Sequence, residues 1–161
     1  MIFLKTNEEI ELIRESSLLV GKTLAEVAKH IKPGVTTLEL DKIAEDFIRD
    51  HQAEPGFLGY GGFPNSLCTS VNEAVVHGIP NAKPLVNGDI VSIDCGVLKN
   101  GFYGDSAYTF EIGEVSEEIK KLLEVTKECL NRSGAAAISG NRLGDIGFAC
   151  QSFAESNGYG V

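Results

Sequence analysis

Three side chains in the middle of this sequence have types and spacing suited to acid–base or metal chemistry: His77, Asp94 and Asp105. Asp94 lies inside the strand-like run Ile90 to Val97, and Asp105 inside the run Phe102 to Phe110. Asn100-Gly101 between them is a strong two-residue hairpin signal. The hairpin is expected to set Asp94 opposite Ser106 or Tyr108 and Asp105 near Gly96. A carboxylate suits a β-run poorly and is costly to bury alone. Two close together repel unless something positive sits between them. One reading is therefore a divalent cation clasped by both. The other is that each Asp ends a strand or caps a turn at the surface. His77 follows the apolar run LCTSVNEAVV and precedes Gly78, where a loop leaves a core. It is either a buried, hydrogen-bonded histidine or a proton donor or ligand facing the acids.

The stretch Phe57 to Cys68, FLGYGGFPNSLC, alternates Phe57, Tyr60 and Phe63 with glycines. It lacks the lysine of a phosphate loop, and no strand clearly leads into it. Two readings stand: a loop whose aromatics seal the core, or the wall of an apolar pocket with polar backbone available.

These residues need elements to hold them. Thr6 with Glu9 forms a capping box for a long amphipathic helix from about Ile10 to Lys29, stopped by Pro33-Gly34. Thr36 or Thr37 caps a second helix packed through Leu40, Ala44 and Ile48, and Pro55-Gly56 makes a turn. His30 and His51 fall at helix ends, as solvated residues. Leu67 onward is a strand that turns at Asn72-Glu73. Ser116 caps a third helix, Ser139-Gly140 breaks it, and Leu143 to Phe153 forms a fourth. An echo runs through the pattern: Leu24, Gly34, Leu40, Ile43 and Phe47 match Leu130, Gly140, Ile146, Ala149 and Phe153 in order and spacing. Residues 1–110 thus read as a first pseudo-repeat, and 111–161 as the helical start of a second.

At 161 residues the chain is long enough for one domain with a real core. A formal net charge of −9 argues against a nucleic-acid surface. Cys68, Cys95, Cys129 and Cys150 match no zinc knuckle or redox pair, and MIFLK is too short for a signal peptide or membrane span. The expected home is the cytoplasm, without membrane partners.

The blocks SVNEAVVHG, NGDIVSIDCGV and FYGDSAYTF, in this order and spacing, resemble type I methionine aminopeptidases, and the resemblance covers essentially the whole chain. It implies the pita-bread α/β (α+β) fold, a curved antiparallel sheet with outer helices in pseudo-twofold halves. It implies a cytoplasmic enzyme that removes the first methionine of nascent proteins when the next residue is small. By the same resemblance Asp94 and Asp105 are two of five protein ligands of a dinuclear centre. Asp94 serves mainly one metal and Asp105 bridges both; the ions are divalent cobalt, manganese, iron or zinc. His77 is the family's non-ligand histidine at the scissile bond. Tyr60, Phe63 and Cys68 line the methionine pocket, with Phe57 where some relatives carry cysteine.

The resemblance also implies that the family continues beyond Val161, supplying a ligand histidine, a second catalytic histidine and two ligand glutamates. On this reading residues 1–161 form a single incomplete catalytic domain. Alone they are expected to bind one ion weakly, to show little or no activity and to self-associate, whereas the full-length enzyme is a monomer. The expected partner is a peptide or nascent-chain N-terminus near the ribosome. The alternative is a non-catalytic peptide- or protein-binding relative.

Overall fold

The computed structural model describes residues 3–161. Two compact units are present, one reaching to Val115 and the other Ser116–Val161. In the first, α1 (Asn7–Ala28) starts at the expected capping box: Thr6 Oγ1 accepts from Glu9 N at 3.2 Å, and Glu9 Oε2 accepts from Thr6 N at 2.8 Å. Its inner face, Ser16, Val20, Thr23, Leu24 and Val27, repeats every three or four residues and is buried. The helix ends at Ala28, ahead of Pro33-Gly34, and Gly34 turns the chain with φ 93°. Helix α2 (Thr37–Asp50) is capped by Thr36, with Glu39 completing a second capping box.

Four antiparallel strands follow: β1 (Glu54–Pro55), β2 (Leu67–Val71), β3 (Ile90–Lys99) and β4 (Phe102–Glu111). β3 is the spine of this sheet. β4 pairs along its whole length on one edge, while β2 and β1 pair with successive parts of the other. Strand β1 corrects the expectation of a turn at Pro55-Gly56. Pro55 pairs with Val97, and a two-residue edge strand tolerates a proline because little of its ladder needs an N–H donor.

Alternation along β3 divides the unit into a core side and a site side. Val91, Ile93, Cys95 and Val97 are fully buried and belong to the hydrophobic core with Val20 and Val27 of α1 and Leu40, Ala44 and Ile48 of α2. Asp94 and Gly96 therefore point to the opposite face. Ser16 ties α1 to the hairpin, its hydroxyl 2.9 Å from Phe102 O and 3.2 Å from Lys99 O.

The second unit pairs α3 (Glu117–Ala136) with α4 (Leu143–Ser156) around Val125, Cys129 and Ala154. These helices have 20 and 14 residues, beside 22 and 14 in α1 and α2, and Gly140 has φ 95° where Gly34 has 93°. Among the described residues no helix is long and apolar enough to cross a membrane.

Candidate active site

The Asn100-Gly101 turn fixes the β3–β4 register. Asp94 faces Ala107 and Gly96 faces Asp105. The expected partners of Asp94, Ser106 or Tyr108, are replaced by Ala107 for a reason of parity. A two-residue turn with Lys99 opposite Phe102 pairs Asp94 with a residue two positions from Asp105, so both acids lie on one face. They are diagonal neighbours, separated by a position where Gly96 presents no side chain.

That missing side chain is used. A Cβ on Gly96 would come within 2.5 Å of Phe57 Cε1, so the Phe57 ring lies directly over the glycine, beside the acids. Gly56 N donates to Gly96 O at 2.8 Å and brings the aromatic loop onto β3. From the other edge, β2 pairs Cys68 with Asp94.

His77 is delivered by a strained backbone. Its φ is 59°, a left-handed conformation that costs a non-glycine residue roughly 1 kcal/mol or more. Gly78 makes this possible by docking edge-on against β2. Thr69 N donates to Gly78 O at 2.7 Å, and Gly78 N donates to Ser70 Oγ at 3.2 Å. A Cβ on Gly78 would collide with Thr69 O. His77 is exposed, so the buried-histidine reading does not hold. His30 and His51 lie elsewhere: His30 Nε2 is 3.8 Å from Glu26, and His51 caps α2, its Nδ1 2.8 Å from Phe47 O.

All seven residues singled out from the sequence line one open cavity of about 610 Å³: Phe57, Tyr60, Phe63, Cys68, His77, Asp94 and Asp105. Tyr60 stands at its rim in a short 3-10 turn, Tyr60–Gly62, and is 81% exposed. Gly61, Gly62, Pro64 and Ile79 complete the lining, and of these Pro64 and Ile79 escaped sequence reasoning. Ile79 is marked only by following His77-Gly78, and Pro64 only by following Phe63.

The electrostatics of this cavity are those of crowded negative charge. Burial, then the charge of Asp105 and a hydrogen bond with it, push the Asp94 carboxyl up to about 6, against opposing help from His77 and the Cys95 N–H. Burial, followed by the charges of Asp94, Asp105 and Asp41, pushes the Cys68 thiol up to about 11. Burial and the same two site acids push Cys95 to about 12. A cation between the carboxylates would relieve the part of each shift that comes from the acids' charge. The donors fit a hard divalent ion, which prefers carboxylate oxygen. Two carboxylates are a partial set, however: among the described residues no group of three or more His, Cys, Asp or Glu is placed to hold a metal.

Comparison with known proteins bears on this site. The family described as metallopeptidase family M24 matches residues 11–161. The methionine aminopeptidase of Clostridium acetobutylicum is 53% identical over 162 residues, covering 100% of this chain and 65% of that protein. Methionine aminopeptidase 1 of Bacillus subtilis is 48% identical, with the same coverage. The crystal structure of the Rickettsia prowazekii methionine aminopeptidase superposes with a TM-score of 0.98 at 43% identity, over 100% of this chain and 65% of that one. The chain thus has the pita-bread fold of these enzymes and spans about two thirds of their length, 65% in each case.

Proposed function

The chain belongs to metallopeptidase family M24, and from that premise we propose that it carries the methionine-binding and first metal-binding half of a methionine aminopeptidase site. One observation carries the proposal. Two repelling carboxylates, an exposed histidine and an aromatic wall converge on one cavity, where burial and then the neighbouring Asp105 raise the Asp94 carboxyl to about 6. Such a raised acid in a cleft marks a functional site better than a structural one.

Asp94 and Asp105 would hold divalent metal, and by the family resemblance Asp105 would be the shared ligand. Cobalt, manganese, iron and zinc are the candidates. Bound there, a divalent ion supplies Lewis acidity, lowering the pKa of a water and polarising a carbonyl. The chain's own residues would bind and orient the substrate. Phe57, Tyr60 and Phe63 enclose a linear apolar side chain, and Cys68 closes the wall beside Asp94. His77, exposed on the cavity lining, would donate a hydrogen bond at the scissile amide. The substrate is the N-terminus of a peptide or nascent chain in the cytoplasm, bearing methionine followed by a small residue. By resemblance, the remaining metal donors come from the part of the family's length outside these 161 residues. Residues 1–110 and 111–161 are then one pseudo-repeat and the start of another.

The test is calorimetric titration of manganese into the 161-residue chain, alongside Asp94→Ala and Asp105→Ala, with turnover of a methionyl tripeptide measured in parallel. We expect one weakly held ion, lost in both variants, and little turnover. Unchanged binding in either variant refutes the metal role. Binding of the tripeptide without turnover, in a longer protein that includes these residues, would favour a non-catalytic peptide-binding role.

A further inference from the structure

The cavity wall is hydrogen-bonded mainly to itself. Tyr60 N donates to Phe57 O at 2.9 Å, Gly62 N to Gly59 O at 3.2 Å, Phe63 N to Tyr60 O at 2.9 Å and Gly59 N to Phe63 O at 2.8 Å. Such a loop keeps its own shape but needs outside anchors to keep its place. Gly56 N on Gly96 O is the anchor at its start. The anchor at its end is a residue outside the cavity lining, Asp41 on α2.

Asp41 is 5% exposed. Its Oδ1 accepts from Ser66 N at 2.9 Å and from Leu67 N at 2.8 Å, and its Oδ2 accepts from Asn65 Nδ2 at 2.8 Å. Among the described residues it forms no ion pair with Lys, Arg or His, so N–H dipoles alone stabilise the buried charge. The three donors flank the point where the loop becomes β2. On one side stand Phe63 and Pro64, and on the other Cys68 follows Leu67 directly. Pro64 has its φ locked by its ring, so the orientation set at Asn65 passes stiffly to Phe63. A carboxylate suits this place because all three partners are donors. An asparagine would present its own NH₂ to at least one of them.

We propose that Asp41 is the positioning residue of the side-chain pocket: its buried carboxylate holds Phe63 at a set distance from Cys68 and so fixes the width of the cavity. This rests on the reading above that the cavity accepts a methionine side chain. A purely structural Asp41 would stabilise the α2–β2 junction without governing the loop.

Amide hydrogen exchange on the 161-residue chain separates these cases. In Asp41→Asn we expect exchange at Gly59 and Phe63 to accelerate at least tenfold, while Ile93 and Tyr108 on the hairpin stay as in the wild type. Asn65→Ala keeps the carboxylate and both backbone bonds, and should give a smaller acceleration at the same two amides. It also serves if Asp41→Asn fails to fold. Acceleration confined to Ser66 and Leu67, or spread evenly through β3 and β4, overturns the proposal. Norleucine, a methionine isostere, is the ligand probe, followed by chemical shifts at Phe63 and His77. Affinity should fall at least tenfold in Asp41→Asn; equal affinity also overturns it. A wild-type chain that ignores norleucine counts against the methionine pocket itself, whereas the exchange data judge the anchor.

Discussion

Replacing Asp94 by asparagine should make the metal-free protein more stable at neutral pH. The carboxyl releases its proton at about 6 in the folded chain instead of 3.8. Between those values the folded state holds a proton the unfolded state has lost. Stability therefore falls as pH rises through this window, and the deficit is complete above about pH 6. At about 1.4 kcal/mol per pH unit the full deficit is about 3 kcal/mol. Asp94 is only half-buried, so solvent screening reduces this to ~1.5 kcal/mol. Asparagine keeps an acceptor for the Cys95 N–H and cannot ionise. Urea unfolding in chelator should show a gain of ~1.5 kcal/mol at about pH 7.5 and roughly half that at about pH 5. Manganese should raise the wild-type midpoint and leave that of the variant unchanged. A loss of stability at about pH 7.5, or the same gain at both pH values, would refute the electrostatic account of the acid pair.

Gly96→Ala drives a methyl into the Phe57 ring, since the Cβ would stand 2.5 Å from Cε1. We expect a loss of about 1–3 kcal/mol in urea unfolding. In a Phe57→Ala background the same change should cost almost nothing, and an undiminished loss there would show the clash lies elsewhere. Cys68, raised to about 11, should react with a thiol reagent at about pH 7.5 some hundreds of times more slowly than a free thiol. Its rate should climb tenfold per pH unit up to about pH 10, because only the thiolate reacts. Cys95, fully buried and raised to about 12, should react only on unfolding. Rapid labelling of either in the native chain would contradict the described burial and charge.

Much of this architecture is written locally. Thr6-Glu9 and Thr36-Glu39 mark their helix starts because a cap satisfies its own backbone within three residues. Asn100-Gly101 marks the hairpin, and its two-residue length alone decides that Asp94 and Asp105 share a face. Ser106 or Tyr108 opposite Asp94 would need a turn of odd length; with two turn residues Lys99 faces Phe102 and Asp94 faces Ala107. Tertiary structure decided what lies far apart along the chain. Nothing near Glu54-Pro55 announces a strand, because a two-residue strand exists only where β3 offers an edge. The left-handed turn at His77 is held by Thr69 and Ser70, and Asp41 gains a role only when the donors at 65–67 arrive. Periodicity, caps and turns act over a few residues and can be read from them. Which edge of β3 receives β2, and hence that Cys68 stands beside Asp94, depends on how the helices and strands jointly bury their apolar faces.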